Sequence, residues 1–248
     1  MHYNVNEFTD FLKNVNLEKY RERFSKIKTV EMDLPKNIQA LDTIYGIYWN
    51  HDEYNNLSSP PQFDDYYDIY YKSCSSLAKE FAIKVGFGTS CDCFERGLKA
   101  RIYRTWASLI TQIHAGYVAE SVFGKDSVKQ GTELDHSDID ILANYKGNEI
   151  MIQVKKESHR PEIGRMHKGM EAVEENGIFN IWYVVPSPSD YLEKQYYLRD
   201  CKTGKQGELK QSLRPFVKFN KDGTLDRLDN GFVIFTKKEF EMIKETFK

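Results

Sequence analysis

The chain has 248 residues, a net charge of −2 and a pI near 6.3; 40% of its residues are hydrophobic and 29% are charged. This composition suits a soluble protein with a sizeable core, and it is less basic than that of a non-specific nucleic-acid coat. No apolar run approaches the ~20 residues that cross a bilayer, and the start lacks signal-peptide features. The four cysteines show no framework spacing, so we expect a cytoplasmic, reduced protein without membrane association.

The first half of the chain predicts helices, because apolar residues recur there close to the helical period. Asn16 is placed to cap a second helix inside the first segment, and Pro35 suits the first position of the next helix. Gly124 suits the end of the longest helix as a C-cap residue. The predicted helices span 7–28, 35–48, 65–84 and 94–123.

Four basic side chains lie on the early turns of the longest predicted helix: Arg96, Lys99, Arg101 and Arg104. A charged helix face in solvent explains such a cluster without any function. Contact with phosphate groups is the alternative, and the sequence leaves both open.

The second half of the chain mixes strand and helix patterns. Predicted strands span 126–130, 137–145, 149–155 and 178–186, with further strands near 195–199 and 215–219 and a last strand at 231–235. Predicted helices span 161–175, ended by Asn176-Gly177, and 237–247. This order argues for an α/β protein with helices on the faces of its sheet. We expect a helical region at 1–93, a core at 94–186, and a polar, strand-containing extension at 187–248 that packs on the core.

The segment DHSDIDILANYKGNEIMIQVKKES, residues 135–158, reads as a hairpin that turns at Lys146-Gly147 or over the four residues from Tyr145 to Asn148, with the same pairing in either case. In that register paired residue numbers sum to 293, which sets Asp140 opposite Gln153 and Asp138 opposite Lys155. The alternate positions on both strands are apolar, so a one-residue slip would bury the aspartates and the register is well specified.

The polar face of this hairpin predicts a metal site. Two carboxylates, an amide oxygen and main-chain carbonyls are hard ligands that suit Mg²⁺, which takes few carboxylates and leaves room for phosphate and water. A lysine beside such an ion can orient a water molecule or stabilise charge on a phosphate. These groups together suit cleavage of a phosphodiester.

At these residues the sequence resembles the PD-(D/E)XK nuclease superfamily, whose motif matches Asp140 and, thirteen residues on, Gln153-Val154-Lys155. Glu120 stands where that family often has an acidic residue on the preceding helix. The resemblance covers roughly 105–186. It implies a restriction-endonuclease-like core, with a central mixed β-sheet flanked by helices and an added N-terminal helical region. It also implies Mg²⁺ as cofactor and hydrolysis of DNA to 5′-phosphate ends.

Under this resemblance Asp140 is the main metal ligand, and Gln153 and the Val154 carbonyl complete the metal site. Lys155 positions the attacking water. Glu120 and Asp138 are expected as ligands of a second metal ion or as supporting groups, with Glu133 and Asp135 ranked below them.

Gln153 departs from the family pattern, because the motif has an acidic residue at that position. An amide oxygen can still ligate a metal ion, so an active nuclease is our leading hypothesis: a sequence-specific double-stranded DNA endonuclease like the type II restriction enzymes. The alternatives are a junction-resolving or repair nuclease of the same fold, a DNA-binding module with a disabled site, and an unrelated α/β domain with a charged edge hairpin.

Several residues near the motif are candidates for contact with DNA phosphates. A helix N-terminus with cations nearby suits that role, although a charged helix face without function fits equally well. The candidates are His136, Lys156, His159, Arg160, Arg165 and Lys168. The polar C-terminal extension is a further candidate for DNA contact. The resemblance also implies a homodimer on palindromic sites and a cognate DNA methyltransferase.

Overall fold

The structure is a computed structural model that describes residues 3–30, 33–50, 57–87, 92–137, 139–157, 173–175, 178–184, 194–199, 206–212 and 225–247. Between 155 and 227 the described parts are the backbones of strands. Within all these ranges, no helix is both long and apolar enough to pass through a bilayer.

Two short helices open the chain, α1 (Val5–Lys13) and α2 (Leu17–Phe24). The Asn4 side chain accepts from the N–H groups of the first turn of α1, and Glu7 reaches back to the Asn4 N–H at 2.9 Å, which is a capping box. The Asn16 side chain accepts from Lys19 N at 2.9 Å and starts α2. The predicted break and its cap are therefore confirmed.

The helix predicted at 35–48 is present only as three short pieces. A 3₁₀ turn spans Lys36–Ile38, helix α3 spans Leu41–Tyr45, and a π-helical turn spans Gly46–Asn50. Gln39 separates the first two pieces with an extended backbone conformation. The apolar period nevertheless places Ile44, Tyr45 and Tyr48 in the core.

Two long helices follow, α4 (Phe63–Lys84) and α5 (Asp92–Phe123). Trp106 of α5 is fully buried, and its indole N–H donates to the Tyr48 hydroxyl at 2.8 Å. Gly124 ends α5 at φ +127°, a conformation that favours glycine and confirms the predicted C-cap. One continuous set of buried apolar residues runs from the N-terminal helices across α5 to the sheet. The predicted boundary at 93/94 stays a prediction.

The basic cluster on the early turns of α5 has partners inside the protein. Lys99 lies 3.1 Å from the Asp64 carboxylate, and Arg101 donates to the Val30 carbonyl at 3.0 Å. Arg96 donates to the Asp92 carbonyl at 3.3 Å, and Arg104 donates to the Thr29 hydroxyl at 3.2 Å. These contacts favour the structural reading of the cluster over phosphate binding.

A five-stranded mixed sheet follows α5. Its strands are β1 (Val128–Lys129), β2 (Ile141–Tyr145), β3 (Asn148–Glu157), β4 (Val173–Glu175) and β5 (Ile178–Val184), in the order β1-β2-β3-β5-β4. β3 and β5 pair in parallel and the other neighbours are antiparallel. A one-turn helix, α6 (Thr132–Asp135), lies between β1 and β2 and was not predicted. The predicted mixed sheet is confirmed, and α5 packs against β1 and β2.

The predicted helix at 161–175 is wrong over its last three residues. Those residues form β4, which pairs with β5 so that Glu175 lies opposite Ile178. Only Asn176-Gly177 separates the two strands, and Asn-Gly is a strong signal for a two-residue hairpin as well as for the end of a helix. Residues 161–172 lie outside the described ranges.

The C-terminal part forms two hairpins and a helix. β6 (Lys194–Arg199) pairs with β7 (Gln206–Ser212), and β8 (Leu225–Arg227) pairs with β9 (Val233–Phe235), ahead of α7 (Lys238–Glu245). The predicted strands at 195–199 and 231–235 are confirmed, β7 and β8 were not predicted, and 215–219 lies outside the described ranges. Asn230 donates to the Leu12, Lys13 and Val15 carbonyls at 2.6–3.2 Å and so ties this part to the end of α1.

Candidate active site

The hairpin of β2 and β3 has the predicted register. Ile141 lies opposite Ile152 and Ala143 opposite Ile150, so that paired numbers sum to 293. Lys146 and Gly147 form the two-residue turn at φ +51° and +80°, which is the pattern of a type I′ turn. The four paired residues are fully or nearly fully buried.

Asp140 occupies a bend directly before β2. Its side chain is buried, with 6% of its surface exposed. One carboxylate oxygen accepts from Val154 N at 2.6 Å and the other from the Gln112 side chain at 2.9 Å. The face on which the Asp140 side chain stands remains a prediction. β2 starts only at Ile141, and the carboxylate takes the place of a main-chain acceptor for Val154.

A second glutamine supports the main chain at the same point. Gln130 is 5% exposed, and its side-chain N–H₂ donates to the carbonyls of Asp140 at 3.2 Å and Gln112 at 3.0 Å. A Cβ atom on Gly116 would lie 2.3 Å from the Gln130 side-chain oxygen. The glutamine therefore fits against α5 only because residue 116 has no side chain. Gln112, Gln130 and Gly116 were not predicted as site residues.

Tyr45 brings α3 to the same region. Burial raises the pKa of its hydroxyl above the usual range, and the carboxylates of Asp135 and Asp140 raise it further. The hydroxyl therefore stays protonated close to both carboxylates. Because Asp135 and Asp140 act on one hydroxyl, Asp135 lies nearer to the site than its low rank in the sequence suggested.

Glu120 lies farther along α5 than Gln112. It lies eight residues beyond Gln112 on α5, about 12 Å along the helix axis, and it accepts from Asp126 N at 3.0 Å. It lines an open cavity of about 880 Å³ together with Asp42, Asp126 and Glu133. Tyr45 and Gln130 line the same cavity, which therefore adjoins the surroundings of Asp140.

The remaining motif residues are placed by their backbone. Gln153 is partly exposed and pairs with Asn180 of β5, and Lys155 and Lys156 pair with Trp182 and Tyr183. The side chains of Lys155 and Lys156 lie outside the described residues, as does Asp138. Of the predicted DNA contacts, His136 is exposed directly after α6. The others, His159, Arg160, Arg165 and Lys168, lie outside the described ranges.

The chemistry of the donors suits a hard divalent cation. A carboxylate offers about four lone-pair sites, and the Asp140 oxygens accept from Val154 N and from Gln112. Val154 N–H points toward Asp140, and because the N–H and C=O of one strand residue share an edge, its carbonyl belongs to that edge too. Within the described side chains, no three His, Cys, Asp or Glu group together as a metal site. An ion here depends on Asp140 with neutral oxygens and the substrate.

Known proteins resemble this chain over nearly its whole length. A family model described as TaqI restriction endonuclease matches residues 5–247. The type II restriction enzyme TthHB8I of Thermus thermophilus is 32% identical over 228 residues, which are 92% of this chain and 82% of that protein. The type II restriction enzyme TaqI of Thermus aquaticus is 32% identical over 237 residues, which are 96% and 85% of the two chains. No solved structure matches.

The match spans the N-terminal helices, α5, the hairpin that holds Asp140 and the C-terminal helix. The chain belongs to the TaqI restriction endonuclease family and is a site-specific DNA endonuclease.

Proposed function

We propose that this endonuclease hydrolyses double-stranded DNA with Mg²⁺ at Asp140, and that it leaves 5′-phosphate ends. The observation that carries the proposal is the buried Asp140 carboxylate, which is held by Val154 N and Gln112 at the end of the central strands. Burial of a carboxylate is costly unless hydrogen bonds or a cation compensate it, and two N–H donors favour its charged form.

The proposed roles follow the order of the residues on β3. Asp140 holds the ion together with the Gln153 amide oxygen and the Val154 carbonyl, and the bound ion supplies Lewis acidity toward the scissile phosphate. Lys155 positions the attacking water, and Asp138 supports the site. Glu120 is proposed as a ligand of a second metal ion or as a supporting group, since it lines one cavity with Tyr45 and Gln130. This assignment agrees with the PD-(D/E)XK resemblance, with Gln153 in place of an acidic residue.

The proposal also covers partners. A homodimer suits a palindromic target, because each subunit then cuts one strand. His136, which is exposed directly after α6, is a candidate for a phosphate contact. Further candidates are Lys156, His159, Arg160, Arg165 and Lys168. A cognate DNA methyltransferase would protect the host target.

The test is the variant Asp140→Asn. The asparagine oxygen can accept from Val154 N, and its N–H₂ can donate to Gln112 after rotation of that amide, so the variant keeps the local hydrogen bonds. We expect folding and DNA binding to persist while cleavage falls more than about 100-fold, beyond the effect of losing a supporting group. Cleavage of a long sequenced duplex is followed in Mg²⁺ and in EDTA.

The matched control is Asp126→Asn, which removes a carboxylate from an exposed position at φ +60° that asparagine tolerates. It should cut like the parent protein. Discrete fragments that form equally well in EDTA, or full cleavage by Asp140→Asn, would contradict the proposal.

A further inference from the structure

We propose that Gln112 and Gln130 are positioning residues for the metal ligand Asp140, and that Gly116 exists to admit Gln130. This inference rests on the proposed function of Asp140. It assigns to α5 and to the end of β1 a direct part in the alignment of the carboxylate.

The side chain of Asp140 is held by two hydrogen-bond donors. Gln112 Nε2 donates to one carboxylate oxygen at 2.9 Å, while Val154 N holds the other at 2.6 Å. Donors on both oxygens fix the rotation of the carboxylate about its last bond. Ligands of metal ions are commonly held in this way by hydrogen bonds from residues that do not touch the ion.

The main chain of Asp140 is held by Gln130. Gln130 Nε2 bridges the Asp140 carbonyl at 3.2 Å and the Gln112 carbonyl at 3.0 Å. Both partners are acceptors, so the amide nitrogen must face them, and the orientation of the amide is fixed by chemistry. Gln130 therefore ties the backbone of the ligand to the same turn of α5 that holds its side chain.

The Gln130 side chain packs closely against α5 at Gly116. Gly116 lies four residues after Gln112, on the same face of α5. A Cβ atom there would lie 2.3, 2.5 and 2.9 Å from the three outer atoms of the Gln130 amide. Any other residue would push the amide away from both carbonyls.

Neutral amides suit this task better than cations. A lysine or arginine at position 112 would pair with Asp140 and compete with Mg²⁺ for its charge. An amide fixes the geometry and leaves the negative charge of the carboxylate to the ion.

The test measures metal binding apart from activity. Gln112→Met keeps an unbranched side chain of similar length and removes the donor. Titration of the full chain with Mn²⁺, followed by electron paramagnetic resonance, should show a dissociation constant raised about 10–100-fold. The Mg²⁺ concentration at half-maximal cleavage should rise by a similar factor.

Gly116→Ala approaches the same contact from the other side. It should also raise the dissociation constant for Mn²⁺, because Gln130 must move. Alanine favours a helix more than glycine does, so Mn²⁺ affinity rather than melting temperature is the readout for this variant.

Two controls separate positioning from general damage. Gln39→Met removes an equally half-buried amide whose nitrogen donates to the Leu34 carbonyl at 3.0 Å, far in sequence from the site. Gly97→Ala adds a methyl group to α5 at 3.0 Å from the Lys28 carbonyl. Both should lower the melting temperature and leave Mn²⁺ affinity unchanged.

The outcomes distinguish this inference from the proposed function. Parental Mn²⁺ affinity in both Gln112→Met and Gly116→Ala overturns the positioning role, provided that Asp140→Asn has lost both Mn²⁺ binding and cleavage. If Asp140→Asn itself binds Mn²⁺ and cuts like the parent protein, the proposed metal site is wrong. An equal loss of affinity in Gln39→Met would also overturn the inference, because the effect would then be unspecific.

Discussion

The two halves of α5 use different interactions. The first half lies in an aromatic core, where Trp106 has Tyr20, Tyr48, Phe63 and Tyr103 with ring centres within 6.4 Å. The second half is buried as well, with Ile113 and Tyr117 in the core, and it adds hydrogen bonds toward Asp140 and a close approach at Gly116. Buried area thus stabilises both halves, and the second half also positions a candidate ligand.

The two halves of α5 are therefore expected to tolerate different substitutions. Burial of apolar area is non-directional, so a change in the aromatic core lowers stability without moving a chosen atom far. A buried polar network has few satisfied arrangements, so a change near Gln112 alters the site even when the fold persists. Variants in the first half should therefore change unfolding, and variants in the second half should change metal dependence.

The largest expected effect in the first half belongs to Trp106→Ala. It empties a fully buried site and leaves the Tyr48 hydroxyl without its indole donor. We expect the free energy of unfolding to fall by about 3–5 kcal/mol, measured by urea denaturation. At a temperature where the variant is folded, half-maximal cleavage should need the parental Mg²⁺ concentration. A shift in the Mg²⁺ concentration at half-maximal cleavage would contradict the distinction between the two halves of α5.

His114, in the second half of α5, predicts acid sensitivity. Burial lowers its pKa to about 3, and the ring contacts the Thr9 hydroxyl of α1 at 3.0 Å. Below the ordinary pKa of about 6.5 the unfolded chain binds a proton that the folded protein excludes, so stability is lost as the pH falls from about 6.5 toward 3.

For this histidine the slope should approach about 1.4 kcal/mol per pH unit. Urea denaturation of His114→Gln between pH 5 and 6.5, above the range where carboxylates titrate, should show a shallower slope than the parent protein. The exposed His136→Gln is measured in parallel. Equal slopes for His114→Gln and the parent would contradict the prediction.

The smallest expected effect belongs to Asp64→Asn. Burial by itself raises the pKa of Asp64, but hydrogen bonds and charge from Lys99 and Arg23 outweigh it and lower that pKa below its usual value. The pairs therefore stabilise the fold above the unfolded pKa and lose that effect as the pH falls through the folded one. Because Asp64 is a third exposed, we expect a loss of no more than about 1 kcal/mol at pH 7.

The matched control is Asp65→Asn, an exposed aspartate in the same first turn of α4. It removes the same charge from the same helix end, so the difference between the variants isolates the ion pairs. That difference should shrink in 1 M salt. A difference that persists at high salt would mean that hydrogen bonds rather than charge are responsible.

The sequence predicted features that depend on neighbours along the chain. Asn16 as a cap, Gly124 as a helix end, and the register that sets Ile141 opposite Ile152 all follow from local patterns. The hairpin turn was equally readable. Asp140 was found because it heads an apolar strand.

The support of Asp140 was not predictable in the same way. Gln112 and Gln130 meet only in three dimensions, and glutamine is common on helix faces. Gly116 was the available signal, since a glycine inside a helix costs stability and often marks a close contact. Glu120 was chosen by its place relative to the strand, and it lies about two turns beyond Gln112 on α5. Asn176-Gly177 is typical both of a helix end and of a two-residue hairpin turn. Only the pairing of β4 with β5 decides between the two.

The unbroken course of α5 has a mechanical consequence. Lys99, paired with Asp64, and Gln112, bonded to Asp140, lie on one rod about 20 Å apart. A tilt of about 3° at the first point displaces the second by about 1 Å over that lever arm. Displacements of that size near a reacting centre can cost about 100-fold in rate. Several contacts of the early turns, among them Lys99 with Asp64 and Arg101 with Val30, hold this alignment together, so that loss of a single one lowers stability without tilting the helix.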